Sequence, residues 1–385
     1  MNTKLLGSSL IISGTALGAG MLAIPMVLAQ FGLWSGTLLM IVICAGTTYA
    51  ALLLLEATLK SGGGLGLNSI ARNTLGKSGQ WITNALLYAL LICLLMAYIL
   101  GAADLVSQLM AAMGLAITPT QSQIGFTVLA GGVIAAGTGI IDKLNRGLFL
   151  VMIACLATTL AFLLPDFHFD HLSRVLNDNH WQLFKTSAVL FTSFGFMVVI
   201  PSLVAYNSQA TDRELRNMVI IGSVIPLFCY LCWLFAVVGN LNPTQLGELK
   251  GVGDLIAAFE HHSRWIGTLL SLFTGLALLT SFFGVAMALY NQNRDMFHQN
   301  RVVTYVLTFI LPLLGSLFAA DKFLAVLGYA GIILVFLAVF VPLAMVYALR
   351  LADTQSQRYT AEGGPLMLVL SLLFGSALLA SQVLL

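Results

Sequence analysis

Charge is what this chain has least of. Only 8% of its 385 residues are Asp, Glu, Lys or Arg, against roughly 25% in soluble domains. Hydrophobic residues make up 59%. That balance excludes a water-soluble globular surface, and a net charge of +2 is too small a field to hold a nucleic acid. Cysteine in polar loops is also missing. Cys44, Cys93, Cys155, Cys229 and Cys232 all fall in apolar runs, whereas a disulfide framework would place them in extracellular loops. Cys229 and Cys232 form a C-x-x-C without the soluble βαβ context of a redox motif, so plain buried thiols are expected. There is no cleavage signal behind Met1–Lys4, and the run that follows is too long for a leader h-region. The six histidines, His168, His171, His180, His261, His262 and His298, sit in loops or at span ends. They show no matching ligand set, so no metal and no cofactor is expected. The Gly-rich stretch Ser61–Gly66 follows a membrane run, not a strand, which excludes a phosphate loop and leaves a flexible connection.

Eleven apolar runs are long enough for a bilayer, which needs about 20 residues. They cover 5–31, 33–59, 81–112, 121–141, 147–165, 183–207, 217–239, 261–290, 301–319, 323–349 and 365–385. An odd number puts the termini on opposite sides. With the N-terminus in the cytoplasm, twelve of the 17 Lys and Arg lie inside, and only Arg174, Lys185, Lys250, Arg264 and Lys322 lie outside. The positive-inside rule selects that orientation, with the C-terminus on the opposite, periplasmic side.

Two of these runs are interrupted. Residues 14–25 read Gly-Thr-Ala-Leu-Gly-Ala-Gly-Met-Leu-Ala-Ile-Pro, and residues 192–201 read Thr-Ser-Phe-Gly-Phe-Met-Val-Val-Ile-Pro. At an offset of 176, Met21 meets Met197, Ile24 meets Ile200 and Pro25 meets Pro201. Gly and Pro are costly inside a helix, and freed backbone groups are tolerated in a bilayer only inside protein or beside a cavity. Corresponding breaks in two halves point to a substrate site at the membrane midplane of a secondary transporter. Because each half has five spans, the second enters from the opposite side. The expected fold is therefore an all-α integral membrane 5+5 inverted-repeat transporter with discontinuous helices 1 and 6 and an eleventh transmembrane helix. It is one transmembrane domain, with repeats at about 5–165 and 183–349 and an extra helix at about 365–385.

The first break offers Thr15, Ala16, Gly18, Ala19 and Gly20, whose small side chains let a ligand approach the backbone. Half-helix N-termini attract a carboxylate, and half-helix C-termini with unwound carbonyls attract a cation. An α-amino acid zwitterion fits that pair of charges. The second break offers Ser193, Phe194, Gly195 and Phe196, flanked by Phe191, and Tyr98 in span 3 is placed to reach the same cavity. Aromatic faces suit an aromatic or large apolar side chain. Close helix packing on small residues is the competing reading of the glycines. Among ionisable groups within spans, Glu56 stands one turn from Lys60, a common structural pair, and is also the leading titratable candidate for coupling. Asp104 sits toward the outer end of span 3, as a gate or cap. Asp142, Asp212, Glu214 and Asp295 lie beside Lys or Arg at the inner surface. In span 8, Thr280 and Ser281 either bond back to their own helix or serve a cation site.

The residues Gly14-Thr15 to Pro25, Leu52-Leu53-Leu54-Leu55-Glu56, Phe191-Thr192-Ser193-Phe194-Gly195-Phe196 and Gly328-Tyr329-Ala330-Gly331 resemble the bacterial aromatic amino acid permeases, closest to their tyrosine-specific branch. The resemblance covers nearly the whole chain. It implies the fold of the amino acid–polyamine–organocation superfamily, the bacterial inner membrane, and proton symport of an aromatic amino acid, tyrosine first. The chain departs from the tyrosine pattern at Met197-Val198-Val199, where that pattern carries a His. Resemblance to the superfamily's sodium-coupled members implies an alternative. Gly14, Leu17, Ala277, Thr280 and Ser281 match their sodium ligands, which would make this a sodium-coupled symporter for an aromatic or large neutral amino acid. Its partners are then the amino acid, a proton or sodium ion and the lipid bilayer, with no nucleic acid.

Two readings of other classes compete. A channel needs a continuous polar pore, and no polar stripe runs through these spans. A membrane-embedded enzyme needs convergent acid, base or nucleophile groups, and Glu56 and Asp104 lie toward opposite ends of theirs. Exchange uptake into sealed vesicles separates a carrier from both. The topology has its own check. On a cysteine-free background, Arg72→Cys and Arg358→Cys should label from the cytoplasmic side and Lys250→Cys from the periplasmic side. Labelling of position 72 from the periplasm overturns the orientation.

Overall fold

The structure is a computed structural model that describes residues 3–135, 138–165, 167–249, 251–260, 264–297, 301–319, 322–352 and 358–383. Lys250, His261, His262 and His298, and the side chains of Ala19, Asp142, Lys143, Arg146, Arg264, Asp295 and Arg301, lie outside the described residues. Every described element is helical. Span 1 consists of Thr3–Ala16 (1a) and Ala19–Leu28 (1b), bent by 55° across the break. Spans 2 to 5 are Leu33–Lys60, Leu67–Ala112, Pro119–Ala135 and Thr138–Leu163. Span 6 consists of Ser187–Ser193 (6a) and Ile200–Tyr206 (6b), with a single 3₁₀ turn between them at Met197–Val199. Spans 7 to 9 are Asp212–Asn240, Arg264–Phe297 and Arg301–Phe318. Span 10 runs from Phe323–Val335 through a π turn, Phe336–Phe340, into Val341–Leu351, and span 11 is Gly364–Val383. Among the described residues, seven helical stretches are long and apolar enough to cross a membrane, span 6 counted as one, and bent span 1 makes an eighth. Span 4 is a 17-residue helix, and the apolar parts of spans 5 and 9, Gly147–Leu163 and Val302–Phe318, are shorter stretches.

The packing repeats with a shift of five. Span 3 lies against span 10 as span 8 lies against span 5. Span 1a lies against span 7 as span 6 lies against span 2, and spans 3 and 4 pair as spans 8 and 9 do. Spans 1b and 6a, the two broken helices, pack on each other. This is the inverted-repeat architecture, with span 11 placed outside it against spans 6a and 10.

Some boundaries differ from the sequence expectation. The backbone of the charged stretch 142–146 is helical and belongs to the start of span 5. The polar connection after span 2 is not flexible throughout. Gly62 and Gly63 turn the chain with φ of 109° and 76°. A helix then starts at Leu67, buries Ile70 and Ala71, and kinks at Gly76, where φ is 73°.

Prolines set the internal contacts. Pro226 in span 7 has no N–H, so the Gly222 carbonyl loses its helical donor. Ser13 Oγ of span 1a lies 3.0 Å from that carbonyl, and Ser9 Oγ lies 3.1 Å from the Met218 carbonyl one turn earlier. A Cβ on Gly222 would stand 2.7 Å from Ile12 Cβ, so glycine there is what lets the two helices touch. In span 10 the π turn directly precedes Pro342, whose missing N–H and ring displace the regular ladder.

At the end of the bundle that carries most of the Lys and Arg, here the basic end, Glu56 is fully buried. Lys60 Nζ is 2.7 Å from Oε1. Arg350 of span 10 donates from Nε to Oε1 at 3.0 Å and from Nη2 to Oε2 at 2.7 Å. The Ala361 N–H donates to Oε2 at 2.8 Å. Nearby, the Tyr359 N–H donates to Asp212 Oδ2 at 2.7 Å, and Arg216 pairs with Glu362 at 2.6 Å. Burial pushes the Tyr359 phenol up to about 12, so it stays neutral. Residues 359–362 are thereby strapped across the ends of spans 2 and 7. Removing one partner of a buried ion pair leaves the others uncompensated, at a cost of about 3–5 kcal/mol. Glu56→Gln should therefore lower the thermal unfolding temperature of the purified protein clearly, while molecules that reach the membrane still concentrate substrate. Unchanged stability with lost uptake would reverse that assignment.

Candidate functional site

The two breaks meet in the middle of the bundle. Span 1a ends at Ala16, and Gly18 caps span 1b with φ of −141°, an extended backbone open to any residue. The glycines are needed for approach instead. A Cβ on Gly18 would collide with Ser281 Oγ of span 8, and one on Gly20 would stand 2.8 Å from Ser193 Cα of span 6a. Ser193 Oγ donates to the Gly20 carbonyl at 2.9 Å. Tyr98, buried in span 3, shares a hydrogen bond with Ser281. The structure therefore brings together Ala16, Gly18, Gly20, Ser193, Tyr98 and Ser281. Gly195 continues the second break, where its N–H reaches the Thr192 carbonyl at 3.1 Å. Phe194 and Phe196 are both buried beside it.

Other predicted residues stand elsewhere. Thr15 is exposed, and its hydroxyl donates to the Ile11 carbonyl of its own helix at 2.8 Å. Phe191 turns away from the break to meet Phe374 of span 11, edge to face at 6.0 Å. Phe194 is taken up by Tyr230, also edge to face, at 5.2 Å. The Thr280 hydroxyl donates to the Leu276 carbonyl at 2.8 Å and lies 3.3 Å from the Ala277 carbonyl, with Met152 Sδ of span 5 at 4.0 Å. Gly14 faces the Phe149 ring of span 5 at 3.0 Å from a built Cβ. Glu56 belongs to the ion cluster at the basic end, and the Asp104 carboxylate of span 3 stands 3.2 Å from where a Cβ on Gly251 would lie.

Sequence reading missed Tyr230 of span 7. It is fully buried, and its hydroxyl lies 2.7 Å from the Ala16 carbonyl and 2.6 Å from the Ser193 carbonyl. The available signal was a tyrosine in mid-span, since a buried O–H must find an acceptor. Asn207 was also missed. Its amide donates to Ser8 Oγ and to the Leu203 carbonyl, each at 2.8 Å, and so joins spans 1a and 6b.

Chemically, the arrangement presents the N-terminus of the ten-residue helix 1b beside the C-terminal carbonyls of 1a and 6a. The first favours an anion and the second a cation. Among the described residues, no group of three or more His, Cys, Asp or Glu is placed to hold a metal ion.

Known proteins agree with this architecture. A solved structure of Mhp1, a nucleobase–cation-symport-1 family transporter in a closed conformation with bromovinylhydantoin bound, superposes with a TM-score of 0.66. It covers 99% of this chain and 90% of its own at 15% identity, a likeness of fold. Glutamine transporter 2 of Aliivibrio fischeri is 59% identical over 388 residues, which is 100% of both chains. Tyrosine-specific transport system 1 of Haemophilus influenzae is 34% identical, covering 97% of this chain and 94% of its own. The tryptophan/tyrosine permease family matches residues 1–382. The chain is thus a multi-pass membrane transporter and belongs to the tryptophan/tyrosine permease family.

Proposed function

We propose that this chain imports an amino acid by symport with a cation, through alternating access, across the bacterial inner membrane with its N-terminus in the cytoplasm. The α-carboxylate sits at the start of helix 1b and the α-ammonium at the ends of 1a and 6a. The observation that carries this reading is the meeting of the two breaks at Gly18, Gly20, Ser193 and Ser281.

Glutamine is the first substrate candidate and tyrosine the second. The aromatic faces that favoured an aromatic side chain are used by the protein itself, Phe191 on Phe374 and Phe194 on Tyr230. Beside Phe196, the breaks keep the hydroxyls of Ser193, Ser281 and Tyr98, which suit an amide side chain. The relative at 59% identity carries glutamine in its name, and the tyrosine-specific one stands at 34%. The departure at Met197-Val198-Val199 points the same way.

For the cation, sodium is the first candidate and a proton the second. Glu56 is the one fully buried acid among the described residues, and two cations and a backbone N–H already occupy its carboxylate at the basic end. Ser281, by contrast, touches the first break, which leaves Gly14, Leu17, Ala277, Thr280 and Ser281 as the candidate oxygen ligands. Hard cations of this kind take carbonyl and hydroxyl oxygens. The proton reading rests on the family resemblance.

Uptake into sealed vesicles tests all three parts. Labelled glutamine should be concentrated and outcompete tyrosine by at least about tenfold, the discrimination of one well-placed polar contact. Replacing sodium by choline should abolish uptake, and a protonophore at constant sodium should leave most of it. Preference for tyrosine, or loss of uptake to the protonophore alone, selects the second reading in each case. Gly18→Leu should fill the space and abolish binding in protein that still reaches the membrane. Unchanged affinity in that variant removes the site from between the breaks.

A further inference from the structure

The meeting of the breaks poses a donor problem. Ala16 and Ser193 are the last residues of helices 1a and 6a, where carbonyls lose their regular donor four residues on, and the Ala16 carbonyl takes the Gly18 N–H at 2.8 Å instead. They converge on one atom, Tyr230 Oη, at 2.7 and 2.6 Å. A phenol has one proton to donate, and both carbonyls must share it. The ring that carries it cannot swing away. Tyr230 is fully buried and wedged edge-on against Phe194, the residue that follows Ser193. Span 7 is in turn fixed to span 1a through Ser9, Ser13 and Gly222.

We propose that Tyr230 is the positioning residue of the substrate site. Its hydroxyl sets the separation between the carbonyl ends of 1a and 6a, and so holds the remaining lone pair of the Ser193 carbonyl ready for the substrate's ammonium group. Tyr230 acts through Ala16 and Ser193 and does not itself touch the substrate. The two ends bear like partial charge, and without the shared proton they repel and part. Ser193 also meets the first break through Oγ to the Gly20 carbonyl. That bond lies on the far side of the break, and the Gly18 N–H on the Ala16 carbonyl, at 2.8 Å, is local to the first break, so neither joins the ends of 1a and 6a. The inference rests on the reading that an amino acid binds between the breaks.

Tyr230→Phe keeps the ring and its contact with Phe194 and removes only the proton. Transport kinetics in vesicles, normalised to the amount of protein in the membrane, should show the KM for glutamine raised by roughly tenfold, the size of one net hydrogen bond to an ammonium-binding position. The maximal rate should stay within about twofold. Tyr230→His, which returns an N–H to a ring at this place, should recover part of the affinity. An unchanged KM, or a fall in maximal rate with KM unchanged, overturns the proposal and makes Tyr230 an ordinary buried tyrosine. If the Phe variant does not accumulate, the His variant decides, with KM raised by more than about twofold supporting the proposal and KM within about twofold of wild type overturning it. If tyrosine is the transported amino acid, the same measurements are made with tyrosine. Gly18→Leu separates the two levels. Unchanged affinity there removes the site itself, whereas lost binding there with a normal Tyr230→Phe removes only the role of Tyr230.

Discussion

A backbone carbonyl without a donor inside a membrane has no water to turn to, and much of this structure is arranged around supplying one. Broken helices and prolines create the deficit. Hydroxyl side chains repair it from neighbouring spans. Ser13 reaches the Gly222 carbonyl that Pro226 leaves open; Thr192 and Ser193 add further bonds between spans, to the Leu327 carbonyl of span 10 at 3.0 Å and to the Gly20 carbonyl across the two breaks. Each repair is also a contact between spans, so the flaws in single helices become the joints of the bundle.

The same economy decides where function can reside. At the basic end, the Glu56 cluster gathers its charges into a closed set and ties spans 2 and 10 to the strap at 358–362. Where the two breaks meet, the Ser193 carbonyl accepts from Tyr230 and keeps a second lone pair. Small residues at Gly18 and Gly20 bring span 1 against spans 8 and 6, and no larger side chain fits there. On the proposed reading, a zwitterion would meet opposite partial charges within one short stretch of backbone, and selectivity would fall to the few polar side chains around it.

The breaks were legible in the sequence because Gly and Pro act locally, on the residues beside them. The inverted repeat was legible because Met21, Ile24 and Pro25 recur at one offset. What could not be read was whatever depends on a partner far along the chain. Glu56 next to Lys60 looked able to titrate, but its decisive partner, Arg350, lies 294 residues away. Phe191 and Phe194 stand three residues apart and look alike, yet one faces span 11 and the other span 7. Tyr230 is one of ten tyrosines, and only the fold puts its hydroxyl between two helix ends. Asp142 to Arg146 read as a loop because polarity and loop coincide on average, but a helix can carry charges where it meets the membrane surface.

Hydrogen–deuterium exchange on the purified protein, with and without saturating amino acid, tests the central claim most directly. If both breaks form one site, substrate should slow exchange together at the amides of residues 17–21 and 194–198 and leave the amides around Glu56 unchanged. Protection at one break alone, or at neither, contradicts the account.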